Sequence, residues 1–242
     1  MTVKYDLHIH SALSPCGEER MTPNNIVNMA ILAGLDIIAV TDHNACGNCR
    51  AVIEVGKRMG LPVIAGMELT TSEEAHIVCL FPTADDAEGF EKEVRLRQMK
   101  IPNEPEIFGR QYLMDADDNI IGEEENLLIM ATDISADEVL NLCGRYNGAA
   151  IPAHIDKDSY SLMASLGFID PEMGFGVCEV TDRCDTVEFT KQHPELQGVF
   201  FIRNSDAHDL GPVGLCPNTI ELERADAETV VSFFAGMTGG KR

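Results

Sequence analysis

The sequence predicts an α/β fold: a barrel, closed or nearly so, of seven parallel strands wound by helices, with a segment inserted at about residues 83–148. Three observations predict it. Seven short apolar, β-branched runs bounded by turn residues recur along the chain, and helical patterns of about ten to fifteen residues separate several of them. Five of the seven histidines fall at or just past the end of such a run. Strands alternating with helices favour a parallel sheet with right-handed crossovers. A chain of 242 residues, 45% of them hydrophobic, can bury the core of one α/β barrel. One domain spanning residues 1–242 is expected.

The first run, residues 3–10, reads V-K-Y-D-L-H-I-H and carries His8 and His10. After it, Thr22-Pro23 supplies a cap and first-turn proline for a helix presenting Ile26, Val27, Ala30 and Ile31, which Gly34 ends. The second strand, 36–41, runs into T-D-H and so presents Asp42 and His43. A second helix through Ala51, Val52, Val55 and Met59 stops at Gly60-Leu61-Pro62. The third strand, 62–69, contains Glu68, and the fourth, 76–81, begins at His76. There the rhythm breaks. A charged helix from Glu88 to Met99 leads into a turn-rich stretch where D-A-D-D-N, flanked by Tyr112-Leu113-Met114 and Ile120-Ile121, predicts a hairpin. This inserted segment, with Phe108, Gly109, Arg110, Gln111 and Tyr112, is expected to cover the candidate site. The fifth strand, 149–154, ends in P-A-H at His154; the sixth, 176–181, carries Glu179; the seventh, 199–203, leads into N-S-D-A-H with Asp206 and His208.

Eighteen basic against forty acidic residues leave a net charge of −22, which repels polyanions over most of the surface. No stable nucleic-acid binding is therefore expected. A small phosphorylated substrate, a small molecule or short nucleotide, is expected instead, because bound cations reverse the potential locally. The N-terminus M-T-V-K-Y-D-L-H lacks the basic start and apolar stretch of a secretory signal, and no run approaches the length of a membrane span. A cytoplasmic protein without membrane contact is the expectation, and its eight cysteines are then reduced thiols or metal ligands rather than disulfides.

His8 and His10, spaced i, i+2, point to the same face of a strand and can grip one ion. His43, Glu68, His76, His154, Asp206 and His208 join them from other strand termini. Six imidazoles and two carboxylates exceed the capacity of one divalent ion and suffice for two or three. Such a pocket would be strongly positive inside an anionic protein and would suit a phosphate group.

In order along the chain, D-L-H-I-H-S (6–11), A-V-T-D-H-N (39–44), G-M-E (66–68), H-I-V (76–78), P-A-H (152–154) and S-D-A-H (205–208) resemble the polymerase and histidinol phosphatase family, the PHP domain. The resemblance implies a distorted (β/α)7 barrel, two or three divalent ions of zinc, manganese or iron, and hydrolysis of phosphoester bonds by a metal-activated water. It makes His8, His10, His43, Glu68, His76, His154, Asp206 and His208 the ligands, with Glu68 bridging. Glu68, Asp206 and His208 form the catalytic set, His208 being one candidate proton donor. There is one departure: many relatives continue from H-x-H to S-D-G, whose aspartate binds metal, whereas this chain has S-P-C-G. Cys16 stands nearest that position, with Glu18 and Glu19 as possible substitutes.

Lys157 and Arg203 are the basic residues nearest ligands and are expected to bind substrate, although Arg203, three residues before Asp206 on a strand, faces the opposite way. Asp6 and Asp42 are placed to orient imidazoles from behind. Cys46-Gly-Asn-Cys49 has C-x-x-C spacing, and with Cys16 it supports an alternative reading as a redox or sensor protein. A proofreading or repair nuclease is disfavoured by the charge. Asp115, Asp117 and Asn119 do not make a calcium loop, because Ile120 and Asn126 stand where its glycine and glutamate belong. His193 has no strand-end setting and is assigned to the surface.

Overall fold

The computed structural model describes residues 1–216 and 218–238. In chain order the elements are β1 (Thr2–Asp6), α1 (Pro23–Leu32), β2 (Ile37–Val40), α2 (Cys49–Met59), β3 (Val63–Thr70), β4 (His76–Phe81), α3 (Ala84–Arg97), α4 (Pro105–Phe108), β5 (Tyr112–Met114), β6 (Ile120–Glu123), α5 (Ala136–Gly144), β7 (Ala149–Pro152), α6 (Leu162–Leu166), β8 (Val177–Glu179), α7 (Thr186–Gln192), β9 (Phe200–Ile202), β10 (Asn218–Glu221) and α8 (Ala227–Met237). All seven expected strands are present, as is the hairpin, β5–β6. The expected helix of 88–99 begins one turn earlier, where Thr83 Oγ1 accepts from Asp86 N at 3.1 Å. Helices α1 and α2 follow their sequence signals: Thr22 caps the first, and Gly60, at φ 78°, ends the second in the left-handed region.

The strands form a curled six-stranded sheet in the order β10-β1-β2-β3-β4-β7, with β8 and β9 as a separate parallel pair. The ladders stop short of the closed, all-parallel seven-stranded barrel expected from the sequence. Single bonds draw the pieces together: Ile155 N donates to Glu179 O (2.9 Å), and His10 N to Ala207 O (2.9 Å). Three pairings of the six-stranded sheet are antiparallel, β1–β10, β3–β4 and β4–β7. The cause is local. Only residues 71–75 separate β3 from β4, and a parallel return needs a crossover of about a dozen residues or more. Thr71 N therefore donates to Ala75 O (2.9 Å) in a tight reversal, and Thr70 pairs with His76. The reversal puts His76, the first residue of its strand, at the end of the sheet where Glu68 and His43 lie.

Inside the curl, Val3, Tyr5, Leu7, Ile37, Ala39, Ile64, Val78, Leu80 and Ile151 pack against Val230, Val231 and Phe234 of α8. Helices α1, α2, α3 and α5 contribute to the second apolar cluster, where α3 buries Ala87, Phe90 and Val94. Within the inserted segment, Tyr112 N donates to Ala12 O (2.8 Å) and Met114 N to Asn48 Oδ1 (2.8 Å). Gly109, at φ +97°, packs so closely on Pro15 that a Cβ would collide with its carbonyl oxygen. These contacts brace the loops after β1 and β2. Asp115 Oδ1 accepts from Asp117 N and Asn119 N, each at 2.9 Å, as an ordinary hairpin turn. No described helix is long and apolar enough to cross a membrane.

Candidate metal centre

Glu68, on β3 and 1% exposed, is the hub of the site. Its Oε1 lies 2.9 Å from His76 Nδ1, 3.1 Å from His8 Nε2 and 3.3 Å from His154 Nε2. Its Oε2 lies 3.0 Å from His43 Nδ1 and 3.4 Å from His10 Nε2. Asp206 Oδ1 approaches His8 Nε2 (3.4 Å), His10 Nε2 (3.5 Å) and His208 Nδ1 (3.6 Å) from the other side. All eight ligand positions marked in the sequence are thus brought together. Ring stacking continues around the group, with His10 and His208 centroids 4.1 Å apart.

Neighbours fix the rings from behind. Both carboxylate oxygens of Glu179, at the end of β8, lie 3.1 Å from His8 Nδ1, and Glu179 also accepts from Asn204 Nδ2 (2.7 Å) and His154 N (3.2 Å). The 3.1 Å contacts orient the His8 ring with Nε2 toward Glu68. His10 Nδ1 lies 2.9 Å from Ser14 Oγ, which donates to Asp42 Oδ1 at 2.6 Å. Asp42 therefore acts through Ser14. Asp6 works on backbone instead, accepting from Ser205 N (3.1 Å) and Gly214 N (3.0 Å). In the sequence Glu179 reads only as a residue of the sixth strand and Ser14 and Asn204 go unmarked; a serine three residues after another in H-S-A-L-S carries no signal of its own.

Residues with positive φ at this end include Asn44 (48°), Glu74 (59°), His154 (31°), Tyr160 (54°) and Asp206 (49°). Backbone strain of this kind persists where surrounding contacts over-determine it. Tyr160, 56% exposed, stacks on His76 at 5.0 Å and accepts from its backbone N–H. Of the two expected substrate-binding residues, Lys157 reaches the centre, with Nζ 2.7 Å from Asp206 Oδ2. Arg203 is not brought there: its Nη2 donates to Cys184 O at 3.0 Å. A cavity of about 250 Å³ opens beside the cluster, lined among others by His154, Lys157, Thr181, Ser205 and Asp206. His193 lies apart from the cluster, half-buried against Phe189.

The electrostatics are those of a site built for cations. Burial drives each imidazole toward its neutral form, but facing carboxylates outweigh it at His8, which is raised well above its ordinary value. The same balance lifts His10 to about 9, through Asp206 and Glu68, and His43 to about 9, through Glu68 and Cys16. Burial would raise Glu68, yet the charges of His76, His8 and His43 hold it well below the usual carboxylate range. His208 is pushed down to about 3, by burial first and then by His10.

Divalent ions fit this donor set. His8 Nε2 and His10 Nε2 point at one another across 3.2 Å, and His43 Nδ1, Glu68 Oε2 and His154 Nδ1 are buried without hydrogen-bond partners. Three overlapping donor groups result: His10, His43 and His208; His8, His10, Glu68 and Asp206; and His43, Glu68 and His76. The C-x-x-C pair belongs to none of them. Cys46 Sγ donates to Glu91 Oε2 (3.1 Å) and Cys49 Sγ to Gly66 O (3.5 Å), and burial pushes both thiols far up. They are protonated core side chains without the lowered pKa of a reactive thiol.

Imidazoles and carboxylates are thus gathered at one end of a curled α/β sheet in groups that could hold metal ions. Residues 6–161 match the PHP domain, and the chain belongs to that family. It is 34% identical over 83 residues to a 5′-3′ exoribonuclease of Haemophilus influenzae, covering 33% of this chain and 29% of that one. Its fold is similar to the lesion-specific endonuclease PfuEndoQ from Pyrococcus furiosus, with a TM-score of 0.69 and 21% identity, covering 99% of this chain and 57% of that one. A complex of Endonuclease Q with a 27-mer duplex bearing an abasic lesion at its active site is similar too, with a TM-score of 0.68 and 19% identity, covering 99% and 58%. This chain spans 61% or less of the length of the relatives it matches in sequence.

These relatives overturn the expectation that a charge of −22 excludes nucleic acid. Net charge describes the average surface, whereas any ligand of the cluster would meet the protein at one rim, where bound cations would set the local potential.

Proposed function

We propose that this chain is a metal-dependent phosphodiesterase that cuts a nucleic-acid strand. One observation carries the reading: five imidazoles face Glu68 beside Lys157 in a PHP chain. His8, His10, His43, Glu68, His76, His154, Asp206 and His208 would hold two or three ions of zinc, manganese or iron, which N- and O-donors of this kind accept. Bound there, the ions supply an activated water at neutral pH and neutralise charge on the phosphate.

The chain's own residues do the rest. Glu68 spans the donor groups, Glu179 and Ser14 hold the His8 and His10 rings, and Asp206 positions Lys157 to meet a non-bridging phosphate oxygen. His208, neutral at physiological pH because its pKa is about 3, is assigned to ligation rather than to protonating the leaving oxygen. The cavity of about 250 Å³ is smaller than the ~300–1,000 Å³ pockets that enclose small molecules. It has room for a phosphate group while the bulk of the substrate stays outside, which favours a strand.

Protein reconstituted separately with manganese, zinc and iron should be assayed on single-stranded DNA, abasic duplex DNA, RNA and a nucleoside 3′,5′-bisphosphate. Scission of at least one strand substrate is expected. Phosphate release from the bisphosphate alone, or inactivity of every metal-loaded form, overturns the proposal.

A further inference from the structure

The segment between His154 and α6 sends two side chains to the metal centre, one on each flank. Lys157 lies beside Asp206 and lines the cavity of about 250 Å³. Three residues on, Tyr160 lays its ring over the His76 imidazole, with centroids 5.0 Å and planes 22° apart. It stands outside the lining of that cavity. Of the chain's four tyrosines it is the most exposed, at 56%.

The backbone holds this ring firmly. Tyr160 O accepts from His76 N (2.9 Å) and Lys157 N donates to His154 O (2.9 Å). Ser161 Oγ donates to Lys157 O (2.7 Å) and accepts from Ala164 N (3.0 Å) as the cap of α6. These bonds keep Tyr160 at φ 54°, a left-handed conformation uncommon for a large side chain. Backbone held in such a region by its surroundings clusters where a protein works on a ligand. One face of the ring covers the imidazole while much of the side chain stays in water. The result is an aromatic plane, immobilised in advance, beside a cavity with room for a phosphate, and a prepositioned ring loses little freedom when a ligand docks on it.

We propose that Tyr160 is the stacking platform for the nucleobase adjoining the phosphate that Lys157 receives. Three residues of chain span at most about 11 Å, which suits a phosphate and a neighbouring base of one strand. Every base has a π face, so such a platform holds a strand without choosing its sequence. The ring alone is needed, and phenylalanine supplies it where alanine does not. The inference rests on the strand reading under Proposed function, and binding and cleavage are measured separately so that the two fail separately.

The chain has no tryptophan, so Tyr160→Trp introduces a single reporter at this position. In the metal-loaded protein its emission should be quenched by a phosphorothioate-linked oligodeoxynucleotide, which resists hydrolysis, and far less by a strand of the same length without bases. On cleavable strands Tyr160→Ala should raise KM roughly 5–150-fold, the worth of one stacked base, with kcat and bound metal little changed. Tyr160→Phe should keep the wild-type KM. Equal quenching by the base-free strand overturns the inference and leaves strand cleavage standing. So does a Tyr160→Ala protein that loses bound metal and kcat at unchanged KM, since the ring is then only a cover for His76. Base-dependent quenching in a protein that cuts no strand supports the platform and overturns the strand reading instead.

Discussion

The two ends of the curled sheet use the same strands for opposite purposes. Around α8, side chains such as Val3, Tyr5, Ile64, Leu80 and Phe234 are buried against one another, and Tyr5 meets Phe234 edge-on at 6.0 Å. At the other end, imidazoles and carboxylates are packed as tightly, with orphaned polar atoms and left-handed backbone at His154 and Asp206. The first end gains free energy from every contact. The second holds groups that repel or lack partners until cations arrive. The contrast teaches that strain and unmet valence at the metal end are tolerated because apolar packing elsewhere fixes the strands that carry them.

The largest expected effect is at the hub. Glu68→Gln removes the shared carboxylate and should lower activity by roughly 10³-fold or more, with reduced metal content by elemental analysis and a metal-stripped melting temperature that falls far less than activity does. Phe234→Ala is the converse, expected to cost about 3–5 kcal/mol in denaturant unfolding while the folded fraction keeps its metal. If Phe234→Ala emptied the centre without destabilising the fold, the division between the ends would be wrong.

Intermediate effects come from the groups behind the ligands. Glu179→Gln should weaken metal binding about 10–100-fold, read by competition with a chelating dye. The pH dependence of the metal-stripped protein sharpens the comparison further. His10 and His43 have raised pKa values, so the stability they add is complete below the ordinary 6.5 and is lost as pH climbs through about 9, and His8, also raised, acts in the same direction. Glu68, Glu179 and Asp206 have lowered ones, so theirs is present above their ordinary values of 4.5, 4.5 and 3.8 and is lost as pH falls below them. Melting temperature without metal should peak near pH 5–6.5 and decline toward pH 10. Metal binding should instead strengthen from pH 6 to 8, because ligation needs the imidazole nitrogens free. The smallest effect is expected from Cys46→Ala, about 1 kcal/mol of stability with unchanged metal content.

Much of the metal end was legible in the sequence because its ligands sit where β-rich runs stop, as in T-D-H at 41–43 and S-D-A-H at 205–208. The strand direction of β4 was legible too, in the short stretch between Thr70 and His76, but the regular alternation elsewhere favoured a parallel reading. Arg203, expected at the substrate, instead donates to Cys184 O, as its spacing from Asp206 on a strand allowed. The apolar end was less visible: β10 is four residues long, and α8 acquires its role only by packing into the curl. Glu179 looked like any acid on a strand, since its partners His8 and Asn204 are distant in sequence. Total charge misled about partners because it contains no information on where a substrate touches.

The reversal between β3 and β4 also bears on the order in which the centre can assemble. Glu68 and His76 meet across a turn of five residues, and His8, His10 and His43 precede them on neighbouring strands. Asp206 and His208 arrive only when Ala207 bridges to Ile9, closing a loop of about 200 residues. Closure entropy rises with the logarithm of loop length, so this last contact costs roughly 3 kcal/mol more than the hairpin. Five ligands thus lie on the first third of the chain, while Asp206 and His208 depend on contacts that join its two ends, Ile9 with Ala207 and β1 with β10, which closure entropy penalises most.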